Sequence, residues 1–169
     1  MSREIRVDAD VAFIPLTQGY EAVIDVADIG LVQGHYWRVL KSPRRRAIYA
    51  ARDVRDDDKK SHMILMHRLI AAAPNGTQVD HRDCDGLNNR RCNLRLCTHA
   101  ENQRNTGLRS DNTSGFKGVR FDKQVGRWRA EIRLDGKYKF LGHFDSPSLA
   151  SEARHIVAAK IYGDFARLK

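Results

Sequence analysis

Apolar and polar positions divide the first 72 residues into short pieces. Val11–Leu16 is an apolar run that stops at Thr17-Gln18-Gly19, a turn signal, and Glu21–Val26 is a second short candidate strand. Arg46–Val54, rich in Ala, Tyr, Ile and Val, predicts a third. Asp25–Gly34 carries acid at its start and Gly at its end, which predicts a short helix. Arg44-Arg45-Arg46 and Asp56-Asp57-Asp58-Lys59-Lys60 read as solvated hairpin tips. Met63–Ala73 reads as a short helix stopped before Pro74.

The pattern changes after Pro74. Residues 75–106 are dense in His, Asp, Asn and Arg and hold too few apolar residues for a core of their own. Residues 107–114 are small, polar and rich in turn formers, and predict a linker. Beyond it, Phe116–Phe121, Arg127–Leu134 and Lys137–Leu141 predict three strands, with Asp135-Gly136 as a hairpin turn. Ser146 caps a helix with Pro147 at its first position. Leu149, Ala153, Ile156, Val157 and Ile161 fall on one helical stripe, and Gly163 marks the end. The stripe is expected to pack on the sheet. The fold class expected is α+β: a β-rich N-terminal part, then a three-stranded antiparallel sheet packed on one helix.

Composition adds a direction. The 169 residues include 30 Lys or Arg against 21 Asp or Glu, a net charge of +9. The excess is uneven: residues 1–60 carry +1, residues 61–113 carry +2 and residues 114–169 carry +6. A basic C-terminal third suggests a polyanion as partner. Apolar residues make up 41% of the chain, too many for a fully disordered protein. No apolar run approaches the ~18 residues that span a bilayer, so no membrane role is expected. MSREIRVDAD has no apolar signal-peptide core, and a cytoplasmic location is expected, with reduced cysteines.

Within the polar block, Asp80 and His81 are followed by Asn93 twelve residues after His81, and then by T-H-A-E with Asn102 just beyond. Thr98 and Glu101 form a capping box, so Asn102 falls in the first turns of a helix. A hairpin folded against that helix can bring Asp80, His81 and Asn102 to one point. A carboxylate and an amide oxygen are hard ligands suited to Mg²⁺. Imidazole is a neutral base near pH 7, and a base beside a metal-bound phosphate is the minimum for phosphodiester hydrolysis. Asn93 is placed to pin the loop backbone. One obstacle stands: strand neighbours point to opposite faces, so the strand must end, twist or bulge at His81. A rival reading takes Cys84, Cys92, Cys97 and His99 as a zinc site, but no C-x-x-C pair is present. Asp83-Cys84-Asp85-Gly86 lacks the further acids of a calcium loop.

The run VDHRDCDGLNNRRCNLRLCTHAENQRN resembles the HNH, or ββα-metal, endonucleases, which include phage and bacterial homing enzymes. The resemblance covers about residues 62–106. It implies Asp80 and Asn102 as ligands of one Mg²⁺ or Mn²⁺, His81 as general base and Asn93 as the loop-fixing residue. It also implies 5′-phosphate and 3′-hydroxyl products. Asn102 stands where His is commonest, as in the H-N-N subtype. His67, in MHRLI, matches a recurrent position of the family and reads as structural.

Arg127–Leu134 alternates: Trp128, Ala130, Ile132 and Leu134 on one face, Arg127, Arg129, Glu131 and Arg133 on the other. The charged face suits the DNA major groove, where Arg bonds guanine and Glu accepts from cytosine. SGFKGVR, WRAEIR, KFLGHFDS and EARHIVAAKIYGDFARL resemble the Apetala-type DNA-binding domain. That likeness implies Lys117, Arg120, Glu131, Arg133 and Phe140 as groove-facing, with Lys117 in place of Arg and Phe140 in place of Trp. Burial logic alone would send Phe140 to the core. Arg90, Arg91, Arg95 and Arg104 are expected to hold flanking phosphates.

Together these readings describe an HNH nuclease domain over 1–106, with strands in 1–60 supporting a core at 62–106. The linker at 107–114 joins it to a DNA reader over 115–169. A monomer acting on double-stranded DNA in a bacterial or phage-infected cell is expected. The alternative is a non-catalytic DNA-binding regulator whose central block is structural.

Overall fold

The computed structural model describes residues 4–42, 47–105, 107–108, 111–134 and 136–166. The Arg44–Arg46 tip, Thr106, Arg109, Ser110 and Asp135 lie outside the described residues. The chain divides into two compact units, Met1–His99 and Ala100–Lys169.

The first unit holds three small antiparallel sheets. β1 (Arg6–Asp8), β2 (Val11–Pro15) and β3 (Glu21–Asp25) form one meander. β4 (Arg38–Lys41), β5 (Ile48–Arg55) and β6 (Ser61–Leu65) form another, and β7 (Gln78–His81) pairs with β8 (Leu94–Cys97). Strand alternation buries Ala12, Ile14, Ala22 and Ile24 from the first meander. They join Ala50 of β5, Val79 of β7 and Leu94 of β8 in one core cluster. Trp37 is buried there, and its indole N–H donates to Val32 O at 3.0 Å, at the end of the single-turn helix α1 (Ile29–Val32). The polar central block thus leans on the core of the N-terminal strands.

The helix expected over Met63–Ala73 is shorter and starts later. Ser61–Leu65 pairs with β5, and only Met66–Ile70 forms α2. Ladder hydrogen bonds to β5 recruit residues that the apolar run alone assigned to a helix. Met66 and Ile70 are fully buried, each worth about 1.5–3 kcal/mol. Arg68 donates to Pro74 O at 2.8 Å and to Thr77 O, tying down the turn into β7. The helix expected over Asp25–Gly34 is a 3₁₀ turn, Val26–Asp28, followed by α1. Asp56–Lys60 is the β5–β6 hairpin tip, closed by Lys60 N donating to Asp56 Oδ1 at 2.7 Å.

α3 (His99–Arg104) begins as the first unit ends. The second unit contains β9 (Val119–Asp122), β10 (Arg127–Leu134) and β11 (Lys137–Phe144) in the order β11-β10-β9. The long helix α4 (Pro147–Tyr162) packs on this sheet. Ser146 caps it, with its hydroxyl accepting from Leu149 N.

The helix stripe needs correction. α4 buries Ala150, Ser151, Arg154, Ala158 and Tyr162, while Leu149 and Ile156 stay 50% and 55% exposed. Small Ala150 packs with Val119 and Ala130, and small Ala158 with Ile132. Side-chain size, not hydrophobicity alone, selects the face that approaches the sheet. Gly118, at φ +68, sits under the same contact. A Cβ there would lie 2.5 Å from Glu131 O and 2.7 Å from Arg154 Nε.

Candidate active site

β7 and β8 carry Asp80 opposite Arg95 and His81 opposite Leu94. Facing residues of a ladder share a face, so Asp80 and His81 leave the strand on opposite sides. β7 ends at His81, where Cys84 N turns back to His81 O at 2.9 Å and Arg82 N reaches Asn93 O at 2.9 Å. The strand ends at His81, yet the two side chains still leave it on opposite faces.

Asp80 Oδ2 accepts from Arg95 Nε at 2.7 Å and lies 2.6 Å from Arg95 Nη2. The two side chains are only 6% and 8% exposed. His81 is also buried. Its Nε2 lies 3.1 Å from Asn89 Oδ1, and its ring sits 5.1 Å from that of His67 and 6.0 Å from that of Tyr49. Burial pushes the His81 pKa below the usual imidazole value, against the opposing pull of Asn89, Asp83, Asp80 and Asp85. Burial, aided by His81 and Arg68, takes His67 down to about 3. Both rings are therefore neutral at pH 7.

The loop between β7 and β8 is held from both sides. Asn93 Nδ2 donates to Asp83 Oδ1 at 2.9 Å and Asn88 O at 2.7 Å, while its Oδ1 accepts from Asp83 N. Leu87 O accepts from Val23 N at 2.8 Å, and Asn89 N donates to Val23 O at 2.7 Å, so the loop docks on β3. On the other side Gly86 presses on β5. A Cβ there would lie 2.2 Å from Ile48 O and 2.7 Å from the Tyr49 ring. The N-terminal sheets are thus the mould for this loop.

Three of the arginines expected at flanking phosphates form ion pairs within the fold. Arg90 bonds Asp25 at 2.8 Å and also pairs with Asp10. Arg91 forks onto Asp28 at 2.7–3.0 Å, and Arg95 is committed to Asp80. These cations tie the loop and hairpin internally. Asn89, fully buried, was not singled out by sequence: in an N-N pair it reads as a turn former. Asn102 lies on α3, in the second unit. Among the described residues no three His, Cys, Asp or Glu side chains gather at a metal-sized distance, so Cys84, Cys92, Cys97 and His99 do not assemble a zinc site.

In the second unit Glu131 is a hub, accepting from Arg120 Nε and Arg129 Nη2, both at 2.9 Å. Arg129 also lies over Phe140, and Arg133 over Tyr138. Phe140 faces Glu131 and Tyr138 faces Arg133 across the ladder, and Tyr138 is 73% exposed. Both aromatics therefore share the charged face, and burial logic fails for Phe140. The register sets this: Leu134 faces Lys137, so Phe140 falls opposite Glu131, and Leu141 is skipped by a bulge only beyond that pair. Arg127 pairs with Asp145 at 2.8 Å. Lys117 Nζ donates to Arg104 O at 2.7 Å, and the Arg104 guanidinium stacks 4.7 Å from the Tyr162 ring.

Residues 65–104 match the HNH endonuclease family model. Protein 3.8 of Escherichia phage T7 is 34% identical over 112 residues, covering 65% of this chain and 90% of that protein. The chain belongs to the family of that phage protein and carries an HNH endonuclease domain. The HNH match spans both faces of the β7–β8 hairpin and reaches α3. An HNH domain implies nuclease chemistry on DNA with a divalent metal. No helix among the described residues is long and apolar enough to cross a membrane.

Proposed function

We propose that this protein hydrolyses phosphodiester bonds of duplex DNA through one HNH centre. The observation that carries the reading is His81, buried and neutral at the break of β7, inside the HNH match. His81 takes the proton from the attacking water. Asn93 keeps His81 in place by fixing the loop that starts beside it. Asp80 and Asn102 would hold the ion, an all-oxygen donor set that fits Mg²⁺ or Mn²⁺. Asp80 also contributes a carboxylate whose Oδ2 Arg95 already orients. When bound, the ion stabilises charge on the scissile phosphate and on the leaving 3′ oxygen.

The second unit serves as the DNA anchor in this reading. Its three-stranded sheet enters the major groove as an Apetala-type reader, presenting Arg120, Arg127, Arg129, Glu131, Arg133 and Phe140, with Lys117 and Arg104 at its margin. Anchoring raises the local concentration of nearby phosphates at the nuclease centre. A monomer with one centre nicks one strand at a time, in a bacterial or phage-infected cytoplasm.

The test is plasmid cleavage. Purified protein with Mg²⁺ or Mn²⁺ is expected to nick supercoiled DNA, leaving 5′-phosphate and 3′-hydroxyl ends, and to stop when EDTA is added. One observation favours the second reading, a non-catalytic DNA-binding regulator: Asp80 is already neutralised by Arg95. Binding without cleavage in either metal would select that reading.

A further inference from the structure

The charged face of the second unit's sheet carries two large aromatic rings among its ion pairs. Tyr138 faces Arg133 and Phe140 faces Glu131 across the ladder, so both rings share a face with the arginines. Tyr138 is 73% exposed and Phe140 48%. We infer that Tyr138 and Phe140 are specificity-determining residues of this face, and that the group they take is the C5 methyl of a pyrimidine, on thymine or on 5-methylcytosine. The inference rests on the reading of this sheet as a major-groove reader, and adds to it the chemistry that β11 selects.

The match follows from what the groove offers. Base edges in the major groove present hydrogen-bond donors and acceptors and a single apolar group, the C5 methyl of thymine. 5-Methylcytosine carries the same methyl at the same ring position. The arginines and Glu131 find partners among the donors and acceptors; the Phe140 ring, which has no polar atom, finds none. Seated on an edge without a methyl, it strips water from polar groups and returns no hydrogen bond. Seated on a methyl, it removes apolar surface from water on both sides.

The neighbours of the rings favour a small group over a whole base. The Arg129 guanidinium lies 4.8 Å from the Phe140 centroid, and the His143 ring lies 5.0 Å away, inclined by 60°. The Arg133 guanidinium lies 5.9 Å from the Tyr138 centroid. An unpaired base stacked flat on either ring would compete with these groups for the ring face. A methyl needs only a patch of it. The guanidinium contacts also hold the rings in place before DNA arrives, so little freedom is left to lose on binding. Glu131 anchors that arrangement, because it holds Arg129 at 2.9 Å.

The experiment is competition binding with the full-length protein in EDTA, so that no strand is cut. Three random-sequence duplex pools of one length are compared: thymine with cytosine, uracil with cytosine, and uracil with 5-methylcytosine. Replacing thymine by uracil removes the methyl and nothing else. The thymine pool, the 5-methylcytosine pool or both are expected to bind tighter than the methyl-free pool, by about four-fold for each methyl covered. Whichever pool gains identifies the source of the methyl. The ratio is expected to fall toward one in Tyr138→Ala or Phe140→Ala and to persist in Tyr138→Phe, which keeps the ring and loses the hydroxyl. Thermal melts establish folding, and Tyr138→Ala, at the more exposed ring, decides alone where Phe140→Ala does not fold. Equal affinity of the wild type for all three pools would overturn the inference. So would a wild-type ratio in every folded alanine variant, since the methyl would then act through DNA shape, and so would loss of the ratio in Tyr138→Phe. Failure of the reader itself is seen separately, as wild-type protein that binds none of the pools.

Discussion

The two basic regions of the chain use arginine in opposite ways. Around the β7–β8 hairpin Arg90 and Arg95 turn inward onto Asp25 and Asp80, and Arg91, itself 57% exposed, ends on the buried Asp28. On the second unit's sheet Arg120 and Arg127 are largely exposed although each touches a carboxylate. The same side chain is a rivet in one place and a solvated charge in the other. Net charge over residues 61–113 does not report this pairing, because Asp25 and Asp28 lie outside that stretch. An arginine-rich stretch says nothing about phosphate until its acids are located.

The largest expected contrast lies in chemistry. His81→Ala should lower plasmid cleavage by about 10²–10⁴-fold while filter binding to DNA stays near wild type. Arg133→Ala should do the reverse, weakening binding while a saturated cleavage rate persists. Equal loss of cleavage and binding in His81→Ala would merge the two regions into one function.

Next in size is the rivet itself. Arg95→Ala removes the guanidinium that neutralises the buried Asp80 carboxylate, and about 3–5 kcal/mol of stability should be lost. Urea unfolding measures it. A loss below 1 kcal/mol would mean that Asp80 and Arg95 are hydrated in solution.

Acid should attack the first unit through His67. Its folded pKa of about 3 lies below the ordinary 6.5. Below 6.5 the unfolded chain binds a proton that the folded ring refuses. The neutral ring's stability is thus complete above 6.5 and drains as pH falls toward 3. Between pH 7 and pH 4 the loss should be about 3 kcal/mol. His67→Phe removes that proton, and its denaturation midpoints at the two pH values should differ by correspondingly less than those of wild type. Parallel acid losses in both proteins would show that His67 is not held neutral.

Much of this was readable in advance, for identifiable reasons. β10 spans the same residues as its alternating pattern, and Ser146 caps α4, because both depend on neighbours in sequence. The period-2 argument left a strand end, a twist or a bulge open at the Asp80-His81 pair, and β7 ends there. What was missed depends on distant partners. Arg90 and Arg91 find their acids 65 and 63 residues away, and no local pattern announces that. Asn89 has no apolar signature, and its meaning comes from Val23, Met66 and His81 together. The contact face of α4 was hidden because the choice turned on the size of Ala150 and Ala158.

The smallest effects belong to the exposed sheet, and they sharpen the comparison most. Arg127 and Asp145 lie 2.8 Å apart, a shorter contact than many buried bonds. Yet Asp145 is 81% exposed, and water competes for both partners. Asp145→Ala should therefore change stability by less than about 1 kcal/mol, against several for Arg95→Ala. The same substitution releases Arg127 from its acid. If the sheet meets phosphates, DNA binding should hold or tighten slightly. In Arg133→Ala the slope of log affinity against log salt should shrink by about one where that guanidinium meets a phosphate. Tighter binding from losing an acid, together with a flatter salt slope from losing a base, would place this sheet on DNA. A salt slope unchanged in Arg133→Ala and binding weakened in Asp145→Ala would remove the sheet from the DNA.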